Sequence, residues 1–409
     1  MMRLIVFIVL FLAIDFYAFQ AVRLALQSSN QGLRTGLYIL FWSIPVISIG
    51  YTILVTTGVT GHWPKSINTY LTAFIFIAYV SKFLMLPFLL IDDLWRGARY
   101  LVQRNGDAGD VDASRSRFLT NFGLILGSLP FISLTYGMIR NPYRYKVFRK
   151  HVSIPNLPES LEGLRIVQIS DIHSGSFTFK EPVKEAIDLI NKEEADLVFF
   201  TGDMVNDQAV EMQPYVDLFA QIRAKQGVYS VLGNHDYGDY HEWPSKEAKQ
   251  ANFQALVRTH ADLGWDLLRN EHRRIDINGT ELSIIGVENY SALDRFPKHG
   301  DLAKAYAGCE DCAVKILLSH DPSHWDYEVR PDFPDIDLTL SGHTHGMQFG
   351  VEIPGFIKWS PIKFMYKQWA GLYQRDQQYL YVNRGLGFLG YPGRVGILPE
   401  ITSLELRKA

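Results

Sequence analysis

The sequence predicts an α/β sandwich domain preceded by an α-helical bundle of four transmembrane helices. Long apolar stretches fill the first 139 residues, and from about residue 145 short apolar runs alternate with helical stretches. The charge also changes sign, because residues 1–150 have a net charge of +9 and residues 151–409 a net charge of −12. The acidic C-terminal part argues against a nucleic-acid partner, since phosphates favour clustered Lys and Arg.

Four apolar stretches are long enough to cross a bilayer. They cover residues 4–26, 37–59, 69–91 and 118–139. A hydrocarbon core about 30 Å thick needs about 20 residues of helix, and only a helix satisfies its own backbone hydrogen bonds in lipid. We therefore expect residues 1–144 to form a membrane domain with four spans and residues 145–409 to form a second domain.

Asp15 and Lys82 are charged residues inside the first and third predicted spans. Such groups are costly in lipid unless they are paired. We expect them to pair with each other, or Lys82 to snorkel or face the bundle interior without a transport function. Flanking Lys and Arg residues number seven on the side of the C-terminal domain and six on the other. The positive-inside rule does not decide between seven and six. We expect a multi-pass protein of the plasma or inner membrane and favour a cytoplasmic C-terminal domain.

Five strands of the buried type are each followed by a carboxylate, a carboxamide or an imidazole. The strands are expected in residues 164–170, 196–201, 228–232, 314–319 and 336–341. The groups that follow them are Asp171 and His173, Asp203, Asn234 and His235, His320, and His343 and His345. Ligand sites of α/β sheets lie beyond the carboxyl ends of the strands, so we expect these side chains to converge.

Four more runs predict further strands. They are residues 274–277 and 281–287, which flank an Asn-Gly turn, and residues 379–382 and 401–406. Two layers of such strands with helices outside would form a sandwich.

Imidazoles and carboxylates together suit divalent metals of borderline softness, such as Mn, Fe, Zn, Co or Ni. The set holds enough ligands for two ions, and one carboxylate can bridge a pair about 3.5–4 Å apart. Ions placed in this way activate water and clamp the oxygens of a phosphoryl displacement. Neither cysteine of the chain, Cys309 or Cys312, lies at these strand ends, which disfavours a structural zinc site.

These motifs together resemble a known family. In chain order they are Asp171-x-His173, Gly202-Asp203, Gly233-Asn234-His235-Asp236, a lone His320 and Gly342-His343-x-His345. In that order they resemble the calcineurin-like metallophosphoesterase superfamily over roughly residues 145–409. The spans that precede them resemble its membrane-attached branch. The resemblance implies a four-layer α/β/β/α sandwich and a metal-dependent phosphoesterase, a hydrolase acting on ester bonds.

The resemblance also implies a role for each motif residue. Asp171, His173, Asp203 and His345 would hold one metal ion, and Asp203 would bridge to a second ion held by Asn234, His320 and His343. His235 would lie outside the metal ligands as an acid or electrostatic stabiliser. A hydroxide between the two ions would attack phosphorus in line. We expect Mn first, with Fe, Zn, Co and Ni as alternatives.

The expected substrate is a phosphodiester or pyrophosphate on a lipid or lipid-linked precursor, because the domain is fixed at the bilayer. The alternatives are a protein or soluble phosphomonoester phosphatase and a non-catalytic membrane scaffold with a structural metal site. Residues 353–369 interleave aromatics with Lys358, Lys363 and Lys367, which predicts either insertion into lipid headgroups or a packed cap over the sandwich. Arg384 is expected either to orient a substrate phosphate or to brace a loop.

Overall fold

Two units make up the protein, and they divide between Tyr136 and Gly137. The computed structural model describes residues 2–103, 113–353 and 355–409. The long helices are α1 (Met2–Ala25), α2 (Gln31–Thr56), α3 (Lys65–Gln103) and α4 (Ala113–Arg140). Within the described residues, four helices are long and apolar enough to cross a membrane, as the sequence predicted. The predicted domain boundary at residue 144 stays a prediction.

The helices of the N-terminal unit pack through small residues. Ala18 and Ala21 of α1 lie against Met85 and Leu89 of α3, and all four side chains are buried. Small residues let helix backbones approach closely, which favours association where lipid removes the hydrophobic driving force. The first turn of α2 is closed by Asn30, whose side chain accepts a hydrogen bond from the backbone N–H of Leu33.

The charged residues of α1 and α3 form a buried ion pair. Lys82 Nζ donates to Asp15 Oδ1, and the hydroxyl of Tyr79 donates to Asp15 Oδ2 at 2.9 Å. The ammonium also lies over the rings of Phe41 and Tyr79, 4.9 and 4.6 Å from their centroids. Asp15 is fully buried and Lys82 is 6% exposed, so the lysine faces the bundle interior rather than snorkelling.

Fourteen strands occur in the described part of the C-terminal unit. They are β1 (Lys146–Ile154), β2 (Arg165–Ile169), β3 (Leu197–Phe200), β4 (Val228–Ser230), β5 (Asp266–Leu267), β6 (Glu271–Ile277), β7 (Thr280–Gly286), β8 (Val314–Leu318), β9 (Leu338–Ser341), β10 (Val351–Ile353), β11 (Ile357–Trp359), β12 (Gly371–Arg375), β13 (Gln378–Val382) and β14 (Glu400–Lys408). One six-stranded sheet has the order β1-β14-β2-β3-β4-β5, and the other has the order β12-β13-β9-β8-β7-β6. Strands β10 and β11 form a separate antiparallel hairpin.

Helices cover the outer face of each sheet. They are α5 (Lys180–Lys192), α6 (Val216–Phe219), α7 (Lys246–Asp262), α8 (Leu302–Tyr306) and α9 (Arg330–Asp332). In β3, Val198 and Phe200 belong to the apolar cluster that includes residues of α5 and α7, whereas Leu197 and Phe199 pack between the two sheets. Successive side chains of a strand point to opposite faces, so β3 is apolar throughout because both faces are buried. The result is the four-layer α/β/β/α sandwich that the resemblance implied.

Each apolar run that predicted a strand contains one, whereas β1, β5, β10, β11 and β12 were not predicted. Of these, β1, β5 and β12 lie at the edges of the six-stranded sheets, and β10 and β11 form the separate hairpin. β1 has the sequence KVFRKHVSI and pairs in parallel with β14. Edge strands are often charged, which discourages pairing with other chains and also hides the apolar signal of a strand.

Replacing Lys82 with Met should destabilise the protein, because it leaves the buried carboxylate of Asp15 without its cation. Removing one partner of a buried ion pair typically costs about 3–5 kcal/mol. We expect a clearly lower midpoint of thermal unfolding for the full-length protein in detergent.

The double variant Asp15→Asn/Lys82→Met is the matched control. It removes both charges and keeps a hydrogen-bonding partner for Tyr79, so most of the lost stability should return. A midpoint that does not change in Lys82→Met would contradict an energetic role for the pair.

Candidate metal centre

The residues that follow five strands meet at one edge of the sandwich. Strands β2, β3 and β4 of one sheet lead into Asp171 and His173, Asp203, and Asn234 and His235. Strands β8 and β9 of the other sheet lead into His320, and into His343 and His345. The structure thus brings together, from both sheets, the eight side chains that the sequence singled out.

Six of these side chains form two clusters that could hold metal ions. The first cluster is Asp171, His173 and His345, and the second is Asp203, His320 and His343. In each cluster the candidate ligand atoms lie within 4.8 Å of one another. His345 Nε2 lies 3.1 Å from Asp171 Oδ1 and 3.0 Å from His173 Nε2.

Asp203 connects the two clusters. Its Oδ2 atom lies 3.1 Å from His320 Nε2 and 3.6 Å from His173 Nε2. Its Oδ1 atom accepts a hydrogen bond of 2.8 Å from the backbone N–H of His235. One carboxylate therefore contacts residues that follow β2, β4 and β8.

Asn234 and Tyr366 flank the imidazole of His343 on opposite sides. Asn234 Oδ1 lies 2.8 Å from His343 Nδ1, and the Tyr366 hydroxyl lies 2.8 Å from His343 Nε2. The same hydroxyl donates to Asp321 Oδ2 at 3.1 Å. A carboxylate only accepts hydrogen bonds, so the hydroxyl proton points to Asp321 and the hydroxyl oxygen accepts from His343 Nε2–H. In this tautomer the unprotonated His343 Nδ1 and Asn234 Oδ1 are two acceptors that face each other, an arrangement that a shared cation would stabilise.

The histidine nitrogens of the site are suited to binding divalent cations. The Nε2 atoms of His173 and His345 face each other at 3.0 Å, so at most one proton can lie between them. Burial lowers the pKa of His173 well below its usual value and leaves the ring neutral. Burial also works against the charged form of His320, but the carboxylates of Asp203 and Asp171 outweigh it and raise the pKa of His320 to about 10. A cation at this position would compete with that proton.

The carboxylates at the site are ionised. Burial would raise the pKa of Asp171, but His345 holds it below the usual range, and His320 does the same for Asp203. Asp236 differs, because burial and the charge of Asp203 raise its pKa to about 7. The Asp236 side chain accepts hydrogen bonds of 2.8–2.9 Å from three backbone N–H groups, which shows a structural role in the loops around the clusters.

Five of the site residues have left-handed backbone conformations. They are Asp171, His173, Asp203, His343 and His345, with φ between 44° and 71°. Such angles are uncommon for residues other than Gly, and each costs on the order of 1 kcal/mol or more. Gly342 allows the two sheets' loops to approach, since a Cβ there would lie 1.9 Å from Ser170 Oγ and 2.2 Å from Asp171 Oδ2. Backbone strain of this kind is typical of functional sites, where the direction of a side chain matters.

A cavity of about 390 Å³ opens above the clusters. Its lining contains predicted residues, including His235 and both His343 and His345, together with Tyr240, Arg295, Phe296 and Tyr366. None of these last four was predicted as a site residue. Tyr366 lies inside the segment 353–369 that composition singled out, whereas Tyr240 and Arg295 belong to no motif.

Arg384 braces a loop instead of lining the cavity. Its guanidinium donates to Glu400 and, through two nitrogens, to both carboxylate oxygens of Glu352. The side chain is almost fully buried. Burial would lower the pKa of Arg384, but Glu400 raises it, so the charge is held between the two carboxylates. The structure therefore favours bracing over contact with a substrate phosphate.

The fold and the site define a class of protein. A four-layer α/β/β/α sandwich with two His/Asp clusters at the carboxyl ends of its strands has the architecture of the metallophosphoesterases, which are hydrolases that act on phosphoester bonds. Comparison with known families agrees. A model described as "Probable Calcineurin-like phosphoesterase, transmembrane domain" matches residues 2–142, and one described as "Calcineurin-like phosphoesterase" matches residues 164–347.

Three relatives extend the comparison. A Danio rerio protein named "Transmembrane protein with metallophosphoesterase domain" is 30% identical over 335 residues, covering 80% of this chain and 71% of the relative. The "Uncharacterized metallophosphoesterase YkuE" of Bacillus subtilis is 29% identical and covers 72% and 98%. The "UDP-2,3-diacylglucosamine pyrophosphatase LpxG" of Chlamydia trachomatis is 28% identical and covers 63% and 88%. The chain belongs to the calcineurin-like metallophosphoesterase family, in a branch with an N-terminal transmembrane domain.

Replacing Tyr366 with Phe should weaken metal binding, because it removes the hydroxyl that keeps the His343 imidazole in the tautomer with a free Nδ1. Loss of such an orienting partner typically lowers metal affinity about 10–100-fold. We expect that loss in equilibrium titrations of the metal-free full-length protein with Mn²⁺, read as metal bound per chain.

Tyr229→Phe is a suitable control, because the hydroxyl of Tyr229 donates to the Gln226 carbonyl rather than to a site residue. Its Mn²⁺ affinity should match the parent's. Equal affinities for the Tyr366 variant and the parent would rule out an orienting role.

Proposed function

We propose that the protein is a membrane-bound phosphohydrolase that cleaves a phosphodiester or pyrophosphate bond in a lipid or lipid-linked substrate. The observation that carries this proposal is the pair of clusters joined through Asp203 beneath one cavity. Two adjacent cation sites under a cavity of about 390 Å³ can receive one phosphoryl group and leave room for what is attached to it.

The eight site residues take the roles that the family resemblance assigns. Asp171, His173, Asp203 and His345 would hold one ion, and Asp203, Asn234, His320 and His343 would hold the other. The mixed nitrogen and oxygen donors suit Mn, Fe, Zn, Co or Ni, and Mn is our first choice. When bound, two such ions supply Lewis acidity and activate water for an in-line displacement at phosphorus.

His235 is placed to exchange a proton with the substrate. Its Nδ1 lies 2.7 Å from the carbonyl oxygen of Asn206, which only accepts hydrogen bonds, so Nδ1 carries the proton of the neutral ring. The other nitrogen, Nε2, belongs to a ring that lines the cavity and packs edge-on against His173 at 4.9 Å between centroids. In the imidazolium form Nε2 carries a second proton, and we assign to this Nε2–H the protonation of the leaving oxygen, which returns the ring to the neutral form with its proton on Nδ1.

The cavity lining supports a substrate that has a charged part and an apolar part. Apart from the histidines, Arg295 is the one basic side chain among the described lining residues, and Phe296, Ile362 and Leu389 add apolar surface. The guanidinium of Arg295 lies outside both clusters, so its positive charge suits a second phosphate or another anionic group next to the reacting one. The name of the LpxG relative specifies a pyrophosphatase of a diacylated nucleotide sugar, which agrees with this choice.

The location of the catalytic domain is part of the proposal. We propose the cytoplasmic side of the plasma or inner membrane, although basic residues flank the spans almost equally on the two sides, seven against six. A reporter fused to the C-terminus that is active only in the cytoplasm tests this side directly.

Replacing Asp203 with Asn should abolish turnover and lower metal content, because both clusters lose a charge. The fold should persist, since Asn is isosteric with Asp. The measurement is hydrolysis of bis-p-nitrophenyl phosphate and p-nitrophenyl phosphate by the full-length protein in detergent with Mn²⁺, beside elemental analysis.

The same assay on the parent protein tests the class of substrate. A preference for the diester supports the proposal, and a preference for the monoester would indicate a phosphatase. Two bound ions without turnover of either substrate would indicate a scaffold.

His235→Gln separates catalysis from metal binding. It removes the proton carrier and leaves both clusters intact, so turnover should fall by about 100-fold or more while metal content stays at the parent's level. His151→Gln, a change at an exposed histidine of β1, is the matched control and should alter neither quantity. Unchanged turnover in His235→Gln would refute the assigned role.

Arg295→Gln tests the second anionic group. The variant should raise the KM for a pyrophosphate diester about tenfold, because a charge-assisted hydrogen bond is lost. The KM for bis-p-nitrophenyl phosphate, which has a single anionic centre, should change much less. An equal increase for both substrates would contradict a contact with a second phosphate.

A further inference from the structure

The segment that follows the metal centre carries a patch of exposed apolar side chains. We call it the apolar rim, and its members are Met347, Phe349, Val351, Ile353, Phe356, Ile357, Phe364 and Met365. Phe356 is 86% exposed and Phe364 is 78% exposed. Elsewhere on the described C-terminal unit, exposed large apolar residues such as Phe179 and Val210 occur far apart in the sequence. A patch contributed by one continuous segment is unusual for a protein surface that faces only water.

The same segment packs its other face into the domain. Ile362, Tyr366 and Trp369 are buried in an apolar cluster with Ala370 and Ile397. Ile362 and Tyr366 also line the cavity. The apolar rim and the cavity wall are therefore two faces of one piece of chain: part of residues 353–369 is a packed cap, as one expectation had it, and part is exposed apolar surface.

The β10–β11 hairpin joins its charged side chains to the rest of the domain and leaves apolar side chains exposed. Glu352 and Lys358 are paired across the hairpin, and the flanking pair is Ile353 with Ile357. Glu352 accepts hydrogen bonds from Arg384, and Lys358 Nζ donates to the carbonyl of Ala370. A hairpin on a water-exposed surface normally shows the reverse pattern, with apolar side chains on the core and charges in solvent. Its outer face is thus suited to an apolar surrounding.

Two exposed lysines border this apolar surface. Lys363 lies over the ring of Phe364, with Nζ 5.4 Å from the centroid, and Lys367 follows three residues after that ring. Aromatic and aliphatic side chains mixed with lysines suit the boundary between acyl chains and anionic headgroups. Residues 151–409 have a net charge of −12, so attraction to anionic headgroups requires a local group of positive charges, and Lys363 and Lys367 provide one. The chain is itself a membrane protein, which keeps a bilayer within reach.

We propose that the apolar rim inserts into the headgroup region of the bilayer and brings the mouth of the cavity to the lipid surface. A lipid phosphoester then reaches the cavity without its acyl chains crossing water. The delivery of a lipid phosphoester rests on the proposed function, whereas insertion of the apolar rim does not. The partner surface is a bilayer that contains anionic lipid, and the contact is made by side chains that bind no metal.

Site-directed spin labelling of the full-length protein tests the insertion. The label is attached to Phe356→Cys, and separately to Phe364→Cys, in nanodiscs that contain phosphatidylcholine and phosphatidylglycerol. Both native cysteines, Cys309 and Cys312, are buried, and labelling of the parent measures their background. Val210→Cys, at an apolar residue 63% exposed and outside the rim, is the matched control.

Labels at positions 356 and 364 should be more accessible to oxygen than to a water-soluble nickel chelate, and the control label should show the opposite. Nickel access at 356 equal to that at 210 would overturn the insertion. Protection from both reagents together with spin coupling between labels would also overturn it, because a second copy of the chain would then cover the rim.

Turnover tests the delivery of substrate. Phe356→Ser/Phe364→Ser should lower hydrolysis of hexadecyl p-nitrophenyl phosphate in the bilayer about tenfold, while hydrolysis of water-soluble ethyl p-nitrophenyl phosphate stays at the parent's rate. Val210→Ser should change neither rate. An equal loss on both substrates would overturn the delivery role. A parent that hydrolyses neither substrate would contradict the proposed function, and the label accessibilities would still decide the insertion.

Discussion

Asp203 imposes the central constraint on the C-terminal unit, because one buried carboxylate has to meet groups from both sheets. Its two side-chain oxygens contact His173, His320 and the backbone of His235, which follow β2, β8 and β4. A buried negative charge is stable only where positive or hydrogen-bonding groups surround it. The two sheets must therefore stack so that the carboxyl ends of these strands lie at the same edge of the sandwich.

The loops at these strand ends are held by hydrogen bonds between their backbone and two buried side chains. Asp236 accepts hydrogen bonds from three backbone N–H groups, and Arg394 is fully buried and donates to the carbonyls of Arg384, Gly385 and Gly387. This support keeps five site residues in left-handed conformations that they would leave if unsupported. Ligand atoms positioned before a cation binds lower the reorganisation that binding requires.

The sequence by itself determined the class of fold and the position of the site along the chain. Strands β2, β3, β4, β8 and β9 are mostly apolar because both of their faces are buried, and mostly apolar runs of this kind can be recognised in the sequence. The polar residues that follow these runs can be recognised in the sequence because they end a mostly apolar stretch. The span-length helices were equally clear, since lipid requires about 20 consecutive apolar residues of each. Charged edge strands such as β1 lack this signal.

Only the tertiary structure decided which side chains meet across elements distant in sequence. Tyr366 reaches His343 and Asp321, Arg384 reaches Glu352 and Glu400 instead of the cavity, and Lys82 reaches Asp15. Composition also could not tell which residues of 353–369 are exposed, because Trp369 and Phe356 are both aromatic, yet one is buried and the other is not. Local sequence determines the period and length of an element, whereas a long-range contact depends on how the elements pack, and packing is a property of the whole chain.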